Sequence, residues 1–252
     1  MKNNGPKVLI IDIETSPIEA YVWDLWDQNI SVNQIKKDWK IISVAWKWLG
    51  DKQVTQFGLN DYSEFQILKL IRKALDHADI VVGQNSKKFD IKKINARFAI
   101  KHIKPPSSYQ QIDTRLLAKK YFGFSSNSLE YLSDRLNSKF KKLKHKDFPG
   151  QELWTECLKN NKKAWEAMRE YNIFDVLATE ELYKRLMPYD TAPINFTVYY
   201  DMKDAVCSCG NSKFIRDGFR FTNSGKYQQY ECIECGAKKK HWKNVLGRKV
   251  MR

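Results

Sequence analysis

Two carboxylates interrupt an apolar strand near the start of the chain. In "KVLIIDIETSP", Lys7 to Pro17, the run Val8, Leu9, Ile10, Ile11 and Ile13 reads as a strand buried on both faces, yet it carries Asp12 and Glu14. Side chains alternate along a strand, so the two acids share a face and stand about 7 Å apart. Paired carboxylates repel each other and are costly in a packed interior. Either the strand end opens to solvent or a multivalent cation lies between them. Two further acids raise the same question. "VVGQNSKKFD" ends another apolar strand with Asn85 and Asp90, and "EYNIFDVLATEELY" sets Tyr171 and Asp175 four apart on one helical face. Taken singly, Asp90 reads as a helix cap and Asp175 as an exposed acid. Taken together, they offer the oxygen ligands that a hard cation wants.

A second constellation lies near the end of the sequence. Four of the five cysteines fall after position 206, in "CSCG" and "CIECG". Cys207, Cys209, Cys232 and Cys235, each pair followed by glycine, read as the two knuckles of a zinc ribbon. Gly210 and Gly236 give the backbone freedom that such turns need. The first pair has one intervening residue where two are usual, and His241 offers a substitute ligand. Between the knuckles, two strand-like runs flank Asn223-Ser224-Gly225 and form a hairpin whose Arg216, Arg220 and Lys226, among alternating aromatic residues, suit nucleic-acid contact. Cys157 stands apart in a helical pattern and reads as packing.

The elements that must position these residues follow from periodicity. "KIISVAWKWL" and "KQVTQFG" read as two strands joined by a tight turn at Gly50-Asp51. Helical spacing at Phe65, Leu68, Ile71 and Leu75 predicts a helix over 61–76. "ADIVVGQN" is a strand and "DIKKINARFAI" a helix capped by Asp90. A short strand in "PPSSYQQIDT" leads to a helix over 115–121, and "SNSLEYLSDRLN" is another helix. The segment 21–39 lacks clean periodicity and reads as loop or short helical pieces. Residues 138–150, rich in lysine with a Pro-Gly pair, read as a loop. Helices are expected over 151–160 and 162–186, with Pro188 ending the second. Residues 189–205 read as a linker holding one strand in "INFTVYY". Early strands followed by alternating helices and strands indicate an α/β sheet with helices on both faces.

The three ordered motifs "DIET", "NSKKFD" and "YNIFD" resemble those of the DEDD superfamily of 3′–5′ exonucleases, the DnaQ-like branch of the RNase H-like fold. Tyr171 resembles the tyrosine subtype, similar to the proofreading domains of family B polymerases. The resemblance covers roughly residues 7–187 and implies a mixed five-stranded RNase H-like sheet flanked by helices. It implies that Asp12, Glu14, Asp90 and Asp175 hold two Mg²⁺ or Mn²⁺, and that Tyr171 orients the attacking water. Two such ions activate water and offset charge on the phosphate. It further implies that Thr15, Asn85 and the backbone near Gly83 hold the terminal nucleotide. Lys87 and neighbouring lysines are placed to meet phosphates, and Trp23, Trp26 and Trp39 to stack on unpaired bases.

Composition agrees with a polyanionic partner. The chain has 44 Lys and Arg against 29 Asp and Glu, a net charge of +15. That balance favours nucleic acid over an acidic membrane, since no long basic amphipathic stretch occurs. From Asp201 onward 12 basic residues face 5 acids, and Zn²⁺ would stabilise a module too small for a hydrophobic core of its own. The expected organisation is a nuclease domain at 1–188, a linker at 189–205 and a nucleic-acid-binding ribbon at 206–252. The expected protein is a free-standing monomeric exonuclease acting on single-stranded DNA or DNA 3′ ends, beside replication or repair proteins. No apolar run matches a membrane span and no signal peptide is read, so the expected location is cytoplasmic, the host cytoplasm if phage-encoded. Rival readings are an RNA-trimming nuclease of the same fold, an endonuclease, and a replication accessory protein that binds without turnover.

Overall fold

Strand β1 (Val8–Thr15) is the centre of a five-stranded sheet, because its aliphatic run can be covered on both faces. The computed structural model describes residues 5–136, 139–140, 147–200 and 205–247. Much of the basic segment 138–150, read above as a loop, lies outside the described residues. After β1 come a two-residue strand β2 (Glu19–Ala20) and β3 (Ile35–Lys37), which pair with each other. The aromatic segment is thus closed by a small ladder and a 3₁₀ turn at Val32–Gln34, and is not wholly irregular. Strands β4 (Ile41–Trp48), β5 (Thr55–Gly58), β6 (Ile80–Gly83) and β7 (Gln110–Asp113) complete the sheet in the order β5-β4-β1-β6-β7. β4 runs antiparallel to β1 and β5, while β6 runs parallel to β1 and β7. The expected mixed, helix-flanked RNase H-like sheet is the fold observed.

Alternation along β1 assigns its two faces. Leu9, Ile11 and Ile13 enter one core with Ile67, Leu68, Ile71 and Leu75 of α1 (Glu64–Asp76) and Ile91, Ile94 and Phe98 of α2 (Asp90–Ile100). Ile10, Asp12 and Glu14 therefore point the other way. On β4, Ile42 belongs to that second face and packs with Leu153 and Cys157 of α5 (Glu152–Leu158) and Trp165, Met168 and Tyr171 of α6 (Lys162–Leu186). Between them lie α3 (Thr114–Tyr121) and α4 (Leu129–Arg135), the latter capped by Ser128, whose hydroxyl accepts from Tyr131 N at 3.3 Å. α1 begins at Ser63, whose hydroxyl accepts from Gln66 N, so Phe65 faces solvent and Ile67 takes the buried position expected of it.

Buried ion pairs tie the layers together. Arg97 of α2 forks onto Glu64 of α1 at 2.7 and 2.5 Å, and Glu64 also accepts from Ile41 N at 3.0 Å. Lys47 of β4 pairs with Glu180 of α6 on the opposite face. Both pairs hold their charges with specific hydrogen bonds, as burial demands. Among the described residues, no helix is long and apolar enough to cross a membrane.

By packing the chain divides into two units. The sheet and its helices form one, Lys7–Leu116 with Phe124–Leu182. The other takes residues 5–6, Leu117–Gly123 and the described residues from Tyr183 onward. In this second unit Tyr121 Oη donates to Asp190 Oδ1 at 2.7 Å, and the Phe122 and Tyr189 rings meet edge to face. "INFTVYY" forms a 3₁₀ turn, Phe196–Tyr199, and not the strand expected: Asn195 accepts from Thr197 N and closes the turn locally. The cysteine-rich end builds a second sheet of β8 (Phe214–Thr222), β9 (Gly225–Cys232) and β10 (Lys238–Asn244), ordered β10-β9-β8. The hairpin at Asn223-Ser224 matches expectation, whereas β10 follows the second knuckle, where no strand was read from the sequence.

Candidate functional site

The acids converge at the carboxyl ends of the strands. Asp12 and Glu14 of β1 face α6, where Asp175 projects back, and their carboxylate oxygens lie within 4.8 Å of one another. Asp90 stands beside them as the first residue of α2. It does not cap that helix, whose N-cap is Phe89; its Oδ1 instead accepts from Ile13 N at 3.1 Å across the sheet. Nor is Asp175 an exposed acid, since it is 4% accessible. Asp12, Glu14, Asp90, Tyr171 and Asp175 all line one open cavity of about 420 Å³. Thr15, which ends β1, and Lys87 do not line it.

Burial and mutual repulsion leave their mark on the titration of this cluster. Desolvation, with the charges of Asp113 and Asp175 adding to it, pushes the Asp90 carboxyl up to about 7. The Tyr171 hydroxyl is driven far above the ordinary phenol range, first by burial and then by the charges of Asp175, Glu14 and Asp12. It also donates a hydrogen bond to Asp175. Tyr171 therefore keeps its proton at any physiological pH and acts as a donor. All four acids offer hard oxygen atoms, and three meet at a single point. That donor set fits Mg²⁺ or Mn²⁺.

Several residues that hold this cluster were not singled out in the sequence. Asn172, fully buried, donates to Asp12 Oδ2 at 2.7 Å and accepts from Ser43 Oγ at 2.8 Å. Ser43 in turn accepts from Gln56 at 2.9 Å, so a chain from β5 through β4 to α6 fixes the Asp12 carboxylate. Trp154 Nε1 of α5 donates to Glu14 Oε2 at 2.9 Å while its ring meets Tyr171 edge on. Asn172 carried a usable signal, three residues before Asp175 on the same helical face. Trp154 carried none, because α5 reaches Glu14 only through tertiary packing.

The far wall of the cavity is polar and cationic. Asn85 adopts a left-handed backbone, φ 61°, just after β6, and its side-chain oxygen accepts from Arg115 Nη1 at 2.9 Å. Among the described residues the Nε of Arg115 is buried without a hydrogen-bond partner. Asp113 organises this corner: its carboxylate accepts from the backbone N–H groups of Asn85, Lys87, Arg115 and Leu116 at 3.0–3.2 Å. Gly83 ends β6 because a Cβ there would stand 2.6 Å from the Ser86 Cβ. Phe89, Ser126, Asn127 and Ser128 complete the rim. The tryptophans divide: Trp23 and Trp26 are 99% and 80% exposed, whereas Trp39 packs on the core beneath the Lys93 ammonium, 3.6 Å from its ring centre.

The second candidate site is the cysteine cluster. The sulfurs of Cys207, Cys209, Cys232 and Cys235 lie within 4.8 Å of one another, with Cys207–Cys235 and Cys209–Cys232 both at 3.6 Å. A disulfide needs about 2.05 Å, whereas four ligands at about 2.3 Å around tetrahedral zinc stand somewhat under 4 Å apart. The group fits zinc. Both knuckles turn as that metal requires: Gly210 N donates to Cys207 O and Gly236 N to Cys232 O, each glycine at positive φ. The single-residue spacing of the first pair is accommodated by Asn211, whose carbonyl accepts from Cys207 N at 2.8 Å. His241 is outside the group and accepts from Lys243 N instead. Arg216 and Arg220 stand on β8 of this sheet.

Comparison with known proteins places the fold. A family B DNA polymerase from the hyperthermophilic archaeon Pyrobaculum calidifontis has a similar structure, with TM-score 0.53 at 15% sequence identity. The similarity covers 73% of this chain but 25% of the polymerase, so the chain corresponds to about a quarter of that protein's length. No curated protein matches the sequence. The family model of the RNase H superfamily matches residues 31–187, a span that includes Asp90, Tyr171 and Asp175 and begins after Asp12 and Glu14. With a family-model match over more than half its length, the chain belongs to the RNase H superfamily.

Proposed function

We propose that the protein is a metal-dependent 3′–5′ exonuclease that hydrolyses single-stranded DNA or DNA 3′ ends. One observation carries the reading: Asp12, Glu14 and Asp175, from the first strand and the last long helix, bring carboxylate oxygens within 4.8 Å in a cavity that Asp90 also lines. A protein that only binds phosphates gains nothing from gathering acids there. Asp12, Glu14, Asp90 and Asp175 would hold two Mg²⁺ or Mn²⁺, whose charge acidifies water and offsets that of the phosphate.

The chain's own groups do the rest. Tyr171, held neutral, donates toward Asp175 and orients the attacking water without serving as its base. Asn172 and Trp154 fix Asp12 and Glu14 so that their oxygens point at one place. Asn85 and Arg115 face the acids across the cavity and suit the phosphate and sugar of the terminal nucleotide, with Phe89 offering a ring edge. The nuclease is assigned to residues 1–188 and the zinc-bound ribbon, joined through 189–205, to residues 206–252, where it adds affinity for the strand.

Incubation of the purified protein with 5′-labelled single strands and Mg²⁺ is expected to give a descending ladder. Full-length oligomer surviving both Mg²⁺ and Mn²⁺ would end the proposal, and matched RNA and circular substrates separate RNA trimming and endonuclease activity from it.

A further inference from the structure

The ribbon sheet sorts its side chains by face. In the β8–β9–β10 ladder, Arg216 pairs with Tyr230 and Tyr230 with Lys239, so these three stand on one side. Phe219 pairs with Gln228 and Phe221 with Lys226, and both partners are an even number of residues from Tyr230, which puts them on the same side. The other side takes Arg220 with Tyr227, Lys240 with Gln229, and Ile215 and Lys238 with Glu231. Every acid within these strands belongs to that other side: Lys238 bridges Glu231 and Asp217, and Gln229 also holds Asp217 at 2.8 Å. The first face therefore carries cations and rings and no carboxylate. Its bulge at Asp217-Gly218 lets Arg216 and Phe219 share that face although they are three residues apart.

Apolar burial does not account for the rings. Phe219 is 43% and Phe221 72% exposed, and the Lys226 ammonium lies 4.0 Å from the Phe219 ring centre and 5.5 Å from that of Phe221. Exposed rings interleaved with positive charge that meets no carboxylate among the described residues suit bases that can stack and phosphates that follow the charge. A protein partner would gain little from such a charge-only rim, and a duplex has no free base faces to offer. We propose that Arg216, Phe219, Phe221, Lys226, Tyr230 and Lys239 form a stacking platform for an unpaired nucleic-acid strand. The platform rests on the polynucleotide substrate proposed above, and binding measured without hydrolysis lets the two ideas fail separately.

The test uses the full zinc-loaded chain carrying Asp12→Asn to suppress hydrolysis, titrated against a fluorescein-labelled oligodeoxythymidylate by anisotropy. Phe221→Ala is expected to raise Kd at least about fivefold, and Phe219→Ala/Phe221→Ala further. Lys226→Ala is expected to weaken binding and to lower the salt slope by about one, which loss of a ring leaves unchanged. On the opposite face, Arg220→Ala and Lys240→Ala are expected to change Kd less than about twofold. Where an alanine variant loses bound zinc, Phe221→Leu replaces it, keeping bulk without an aromatic face. Equal losses from the two faces, indifference to Phe221→Leu, or equal losses with duplex and single strand would overturn the platform. A chain that binds by this face but never hydrolyses DNA in its unmutated form would refute the exonuclease and leave the platform standing.

Discussion

The carboxylate cavity and the cysteine ribbon solve the same problem, holding like-charged groups together, by opposite means. In the cavity, residues as far apart as Asp12 and Asp175 are pressed together by a core that covers both faces of the sheet. Each acid is held by a neighbour: Asn172 for Asp12, Trp154 for Glu14, the backbone of Ile13 for Asp90 and the Tyr171 hydroxyl for Asp175. In the ribbon the buried cluster is little more than Cys207, Cys232 and Ala237, with Cys209, Phe214 and Cys235 packed beside it. There the ligands are the core. A site built on a prior fold should survive loss of its ligand, whereas a site that replaces a core should not.

The sharpest break in this comparison is chemical. Asp12→Asn or Asp175→Asn is expected to lower kcat about 10⁴-fold or more while the thermal unfolding of the sheet persists. Oligonucleotide affinity that collapsed in parallel would show the two regions to be inseparable. Next in size is metal removal. A strong zinc chelator, or Cys232→Ser, is expected to unfold the ribbon and abolish its share of binding, because structural zinc contributes roughly 10 kcal/mol or more to such modules. Circular dichroism melting should retain the main transition. Thiol titration sharpens this result: chelation should release four reactive cysteines, whereas Cys157, buried and pushed up to about 12 by desolvation, should react only when the sheet unfolds.

Smaller effects test how the acids are held. Asn172→Ala is expected to lower activity about 10- to 100-fold, as loss of a residue that orients a ligand does. It should also cost about 1–3 kcal/mol in denaturant unfolding, since Ser43 loses its buried acceptor. Tyr171→Phe should reduce kcat by about tenfold or more. Because the folded-state pKa of Tyr171 is raised, its neutral form persists through the alkaline range, so the pH–rate profile should keep its shape up to about pH 10. An alkaline limb present in the parent and absent in Tyr171→Phe would make the tyrosine a base after all.

Much of the cavity was legible because strand alternation is strict: Asp12 and Glu14 must share a face, and Tyr171 and Asp175 must share one on a helix. The knuckles were legible because their cysteines come as local pairs, each followed by glycine. The role of Asp90 was not, since a carboxylate at a helix start reads the same whether it caps its own helix or accepts from Ile13 across the sheet. The turn at Phe196–Tyr199 misled for a related reason. Its β-branched and aromatic residues favour strand, but among the described residues no strand pairs with them and a local Asn195 turn prevails.

Sequence by itself determined which residues are chemically capable, acids on one strand face and thiols at knuckle spacing, because periodicity and spacing are properties of the local chain. Tertiary structure alone decided which of those acids meet, that Asn172 and Trp154 hold them, and that Arg216 and Arg220 stand on opposite faces of their sheet. Those outcomes depend on pairing register, a bulge and helix docking, which bring together residues that the chain keeps apart.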